Sequence, residues 1–169
     1  MILRPRWPIA AAAVLGLAAG VGLACDGDPD GSACGPTEAV VARVIDGDTV
    51  ELDSGERVRY LLIDTPESTG GKDDCFGQEA TELNRMLVEG QRVTLRYDVE
   101  CTDPFDRLLA YVEVNGREVN SLLIERGAAC VLSIPPNGQE RREEFEDLER
   151  EARDNMVGVW GACEDVTCD

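Results

Sequence analysis

The chain has 169 residues, which allows one domain with short appendages. Its 34 acidic residues outweigh 16 basic ones, for a formal charge of −18, and it contains no histidine. That composition excludes histidine-based acid–base chemistry and histidine-rich transition-metal sites. It also opposes long-range attraction of a polyanion and suits a surface adapted for solubility or high salt.

The first segment reads as an export signal. Arg4 and Arg6 precede an uncharged Ala-, Leu-, Val- and Gly-rich stretch over residues 9–24. This stretch is too short for a membrane span and ends in small residues, as a cleavage site does. Cys25 stands where a bacterial lipoprotein is cut and acylated, although Gly22-Leu23-Ala24 departs from the usual tripeptide and plain cleavage after Ala24 is the alternative. Seven cysteines are present. Acylating Cys25 leaves an even set, Cys34, Cys75, Cys101, Cys130, Cys163 and Cys168, suited to disulfides in an oxidising compartment. Such an anchor would hold the domain at a membrane face without crossing it.

Residues 25–37 read as a flexible acidic tether. Asp26, Asp28, Asp30 and Gly31 imitate the start of an EF-hand loop, but Thr37 stands where its closing glutamate belongs and Pro29 interrupts it. Val-rich strands are expected over 39–45, 49–52 and 57–63, separated by Asp46-Gly47 and Ser54-Gly55 turns. A helix over 78–89 carries Ala80, Leu83, Leu87 and Val88 at helical spacing and stops at Gly90. Strands over 92–99 and 108–114, a short helix over 119–126, an extended piece over 130–134 and a helix over 139–157 complete the pattern. In that last helix Glu146 and Arg150, and Glu149 and Arg153, stand at i,i+4. Five strands and three helices of these lengths suit a small barrel with helices packed on it. The domain is expected over 38–163, with a leader over 1–24 and a tail over 164–169.

Asp46, Asp48, Asp64 and Glu67 cluster at strand ends of one meander. Each alone is an ordinary turn residue. Together they are costly unless a cation binds or one is protonated. Without histidine, a hard, oxygen-ligated ion is the natural guest.

Three motifs then carry a resemblance: Val44-Ile45-Asp46-Gly47-Asp48-Thr49-Val50; Arg59-Tyr60-Leu61-Leu62-Ile63-Asp64-Thr65-Pro66-Glu67; and Thr102-Asp103-Pro104-Phe105-Asp106-Arg107-Leu108-Leu109-Ala110-Tyr111. In this order, with Val119-Asn120 and Gly158-Val159-Trp160 after them, the chain resembles the staphylococcal nuclease family. The resemblance implies an α+β fold, a five-stranded OB-fold barrel with three helices. It implies calcium-dependent hydrolysis of DNA and RNA with little sequence specificity, by a monomer needing no protein partner. Asp48 and Asp64 would bind calcium through their carboxylates and Thr65 through its carbonyl, with Asp46 behind them. Glu67 would hold and deprotonate the attacking water, and Arg59 and Arg107 would grip the scissile phosphate.

The chain also departs from the family. The tyrosines that flank the nucleotide in its best-known member are replaced by Cys130-Val131-Leu132-Ser133-Ile134-Pro135-Pro136, and a Lys-Tyr pair by Pro104-Phe105. The catalytic set is complete and the binding set thinned, so weak, cation-dependent substrate binding is expected. The resemblance also suggests pairing Cys130 with Cys163, Cys34 with Cys168 and, on the active-site side, Cys75 with Cys101. A lapsed OB-fold binding module at the cell surface is the alternative function, and a structural surface protein a third.

Overall fold

A computed structural model describes residues 33–166. The leader, Cys25, most of the tether with its EF-hand-like aspartates, and Cys168 lie outside the described residues.

Alternating strands with one apolar face must close or be covered. Here β1 (Glu38–Val44), β2 (Thr49–Leu52) and β3 (Arg57–Tyr60) form an antiparallel meander. After α1 (Gly77–Val88), β5 (Arg92–Thr102) pairs with β1, and β6 (Leu108–Val114) pairs with β5. A parallel pairing of β3 with β6, Arg59 opposite Leu109, closes the ring into a five-stranded barrel. Val41, Val50, Leu52, Val58, Tyr60, Leu95 and Val112 fill it.

The expected third strand breaks at Leu62, whose φ is 64°. That reversal lets β4 (Ile63–Asp64) leave the barrel and pair with β8 (Cys130–Val131) in a second small sheet. Between them in sequence, β7 (Arg117–Glu118) leads into α2 (Val119–Glu125). The final helix is shorter than its periodicity suggested: α3 spans Arg142–Asp154, Met156 turns with φ 53°, and α4 (Val159–Ala162) follows. Arg153 pairs with Glu149 as expected, whereas Arg150 takes Asp147 and Glu146 takes Arg142, three and four residues away. On α1, Ala80, Asn84 and Val88 recur at four-residue spacing and are fully buried.

The disulfides correct the expected pairing. Cys34 joins Cys101 and Cys75 joins Cys163; Cys130 is disulfide-bonded as well. The reason lies in the strands. The segment before β1 continues along β5, with Leu95 N donating to Thr37 O at 2.7 Å and Tyr97 Oη to Pro36 O at 2.8 Å. This carries Cys34 to Cys101. Trp160 does not bring Cys163 to Cys130; its ring lies under Arg153, and α4, tied by Val159 N to Gly127 O at 2.8 Å, delivers Cys163 to the start of α1. These links close 67- and 88-residue separations, each worth about 4 kcal/mol in chain entropy.

Candidate active site

The Asp46-Gly47-Asp48 turn is held from three sides. Asp46 Oδ1 accepts the Asp48 amide at 3.1 Å, and the amides of Ile45 and Asp46 donate to Thr49 O at 2.9 and 3.3 Å. A Cβ on Gly47 would stand 2.5 Å from Thr65 Oγ1, so only glycine lets the turn pack against Thr65. From α1, Asn84 Nδ2 donates to Asp46 O at 3.2 Å while its Oδ1 accepts Tyr60 Oη at 3.0 Å. Burial, then the neighbouring Asp48 charge, pushes the Asp46 carboxyl up to about 6.

Asp48 is buried, and both its oxygens accept hydrogen bonds. Oδ1 accepts Thr49 Oγ1 at 3.1 Å; Oδ2 accepts Thr65 N at 2.9 Å and Thr65 Oγ1 at 3.1 Å. Arg59 Nη1 also reaches Oδ2 at 3.0 Å, and Arg59 Nη2 donates to Asp64 Oδ1 at 2.6 Å. The same guanidinium donates to the carbonyls of Tyr60 at 3.2 Å and Ile63 at 2.8 Å. Strand β3 and the reversal at Leu62 thus bring Asp48, Arg59, Asp64 and Thr65 into one knot.

Arg107 follows a tight turn between β5 and β6. Asp103 Oδ1 accepts the amides of Phe105 at 2.9 Å and Arg107 at 3.0 Å, and its Oδ2 takes Arg107 Nε at 2.7 Å. Burial opposes the Asp103 charge, but these donors outweigh it and hold the carboxyl below its usual value. Arg107 also lies 5.6 Å from the centre of the exposed Phe105 ring.

Arg59 and Arg107 line one cleft of about 290 Å³, with Leu61, Leu62, Leu109, Leu132 and Ile134 as its apolar wall and Glu100 and Asp103 as its acidic groups. Glu67 is not part of that lining. It stands exposed on the loop between β4 and α1, with its amide on Asp74 Oδ2 at 3.2 Å and its carbonyl accepting Asp74 N at 2.9 Å.

Among the described residues, no three acidic, histidine or cysteine side chains converge as a ready-made metal cage. Two carboxylates, Asp48 and Asp64, do converge on one cationic group, the Arg59 guanidinium. The donor atoms there are all oxygen. That chemistry fits a hard cation, which completes its shell with carbonyls, waters and substrate oxygens, and does not fit zinc or copper.

The profile of the staphylococcal nuclease homologue family matches residues 57–162. The chain belongs to the staphylococcal nuclease family. It is 35% identical over 126 residues to a thermonuclease of Staphylococcus intermedius, covering 72% of this chain and 74% of that protein. It is 34% identical over 132 residues to endonuclease YncB of Bacillus subtilis, and 33% over 130 residues to the SPbeta prophage-derived endonuclease YokF of the same species. Those alignments cover 74% and 73% of this chain but only 62% and 44% of the two relatives.

Four supporting residues were given no role from the sequence, although Asp103 and Asn120 stand within the motifs quoted above. Asn84 and Asn120 are fully buried polar groups on helices. Asn120 donates to Leu61 O at 2.9 Å and accepts the Val112 amide at 2.9 Å, which ties α2 to the barrel. A polar residue in an apolar helical stripe was the available signal for Asn84. Asp74 and Asp103 look like loop solubility; only their turn bonds reveal them.

Proposed function

We propose that the protein is an exported, calcium-dependent nuclease that hydrolyses phosphodiester bonds in DNA and RNA with little sequence preference. The observation that carries this reading is the pair of arginines on one cleft, one of them knotted to Asp48 and Asp64. Two guanidinium forks can donate paired hydrogen bonds to a phosphate, a geometry lysine cannot copy. Asp48, Asp64 and the Thr65 carbonyl would hold calcium, which when bound neutralises and orients the phosphate. Arg59 and Arg107 bind its oxygens and stabilise the charge that develops on them. Glu67 orients a water and takes its proton. Asp46, behind Asp48, fixes the turn. The names of the relatives support the same chemistry. Arg4, Arg6, the apolar run over 9–24 and Cys25 support export with a lipid anchor.

Net acidity and the single lysine, Lys72, predict binding that depends on calcium more than on long-range attraction. The test is supercoiled DNA with oxidised protein, with calcium or with chelator. Nicking and linearisation with calcium alone is the expected result. Intact DNA across calcium and salt ranges would overturn the nuclease reading and leave a binding module.

A further inference from the structure

Of the groups assigned to the reaction, Glu67 alone is neither on the barrel nor held by its own side chain in the cleft. Its loop, residues 66–76, contains Gly70 and Gly71, both at positive φ and both with open space around them. Such a loop has no apolar contacts at its tip to fix it. Its root is held by Ser68, whose hydroxyl meets Thr81 Oγ1 of α1 at 2.7 Å, and by Asp74. That residue closes on the Glu67 backbone twice, taking its amide with Oδ2 at 3.2 Å and giving its own amide to the Glu67 carbonyl at 2.9 Å. Asp74 N–H and C=O are both used, since Gly77 N donates to Asp74 O at 3.0 Å. The first turn of α1 lies so close that a Cβ on Gly77 would meet Glu67 O at 2.6 Å. The next residue, Cys75, is bonded to Cys163 beyond α4, 88 residues away.

We propose that Asp74 and the Cys75–Cys163 disulfide are positioning residues for Glu67: the disulfide pins the loop's exit to the C-terminal helix, and Asp74 transmits that anchor to the backbone of the base. This rests on the nuclease reading for Glu67's role. The Arg107 turn supplies the contrast. Asp103 caps it from within, through Oδ1 to two amides and Oδ2 to the guanidinium. The Cys34–Cys101 disulfide beside it therefore stabilises the fold without being needed to place Arg107.

The test compares oxidised wild type with Cys75→Ser/Cys163→Ser, Cys34→Ser/Cys101→Ser, Asp74→Ala and Asp74→Asn, below the melting temperature of the least stable variant. Calcium-dependent cleavage is read as kcat and KM separately, and hydrogen exchange is read at the Glu67 amide. Misplacing a catalytic group by about 1 Å can cost on the order of 10²-fold. Cys75→Ser/Cys163→Ser and Asp74→Ala are expected to lose about 10- to 100-fold in kcat at little-changed KM, with faster exchange at Glu67. Asp74→Asn keeps an acceptor oxygen and should restore most of kcat. Cys34→Ser/Cys101→Ser should lose comparable stability while keeping kcat within about threefold and Glu67 protection unchanged. If Cys75→Ser/Cys163→Ser fails to fold, the two Asp74 variants decide. The proposal is overturned if kcat and Glu67 exchange stay at wild-type values in Asp74→Ala, or if the two disulfide variants lose kcat alike. If the wild type cleaves nothing, the nuclease reading fails and the exchange data alone judge whether Asp74 and the disulfide order Glu67.

Discussion

Arg59 rises from a strand paired on both edges, to β2 and to β6, whereas Arg107 stands at the end of a turn outside the barrel. The first has a side chain 13% exposed and serves two carboxylates and two carbonyls; the second is 28% exposed and serves one carboxylate. Both face the same cleft. The difference teaches that two arginines can reach one cleft from two kinds of support. On the barrel, the residue is also part of what holds the fold. On the loops, the residue is placed by a few polar bonds and contributes little to stability.

The sharpest way to break that comparison is to truncate each arginine. Arg59→Ala and Arg107→Ala should both lower kcat/KM by on the order of 10²-fold or more. Their stabilities should separate. Arg59→Ala leaves Asp48 and Asp64 without their shared cation and should cost about 3–5 kcal/mol in a urea melt. Arg107→Ala should cost about 1 kcal/mol or less. Equal losses in the melt would mean that the barrel and the loop hold their arginines alike.

Glu67 extends the comparison to a group with no structural duty. Glu67→Gln should reduce kcat on the order of 10²-fold and leave the melting midpoint within about 0.5 kcal/mol. A large stability loss would place Glu67 with the barrel residues instead.

The smallest effect is expected from Asp103. Its folded carboxyl titrates below the unfolded value of 3.8, so its charge stabilises the fold above that pH, and the contribution is lost as pH falls through the lowered folded value. Asp103→Asn should therefore cost about 1–2 kcal/mol at neutral pH. The gap to wild type should close as both are acidified below about pH 3.8, read from melts across pH. A gap that stays constant into strong acid would mean that shape, and not charge, holds the Arg107 turn.

Much of this was legible in the chain itself. Val-rich runs bounded by turn residues marked β1, β2, β5 and β6 within a few residues, because β-branched side chains favour strands and Gly and Asp punctuate them. Asp46, Asp48, Asp64 and Glu67 could be singled out because carboxylates gathered at the strand ends of one meander are costly without a cation, whereas Arg59 was marked only by the resemblance to the family. The break at Leu62 could not be read, since Leu61-Leu62-Ile63 looks like one apolar strand. Only the closing pairing of β3 with β6 and the demand of β4 for β8 require the reversal. The disulfide pairs were hidden for the same reason: six cysteines allow fifteen connectivities, and partners 67 and 88 residues apart are chosen by where β5 and α4 run.

The sequence by itself pointed to a small barrel and an all-oxygen donor set, because those depend on residue type and element length, while the resemblance to the family marked the two arginines. Tertiary structure alone decided that Arg59 closes on both Asp48 and Asp64, that Asp103 secures Arg107, and that Asp74 closes on the Glu67 backbone. Asp48 meets Arg59 and Thr65 only once the strands have closed, and the shorter-range bonds of Asp103 and Asp74 depend on a turn geometry that residue type does not dictate.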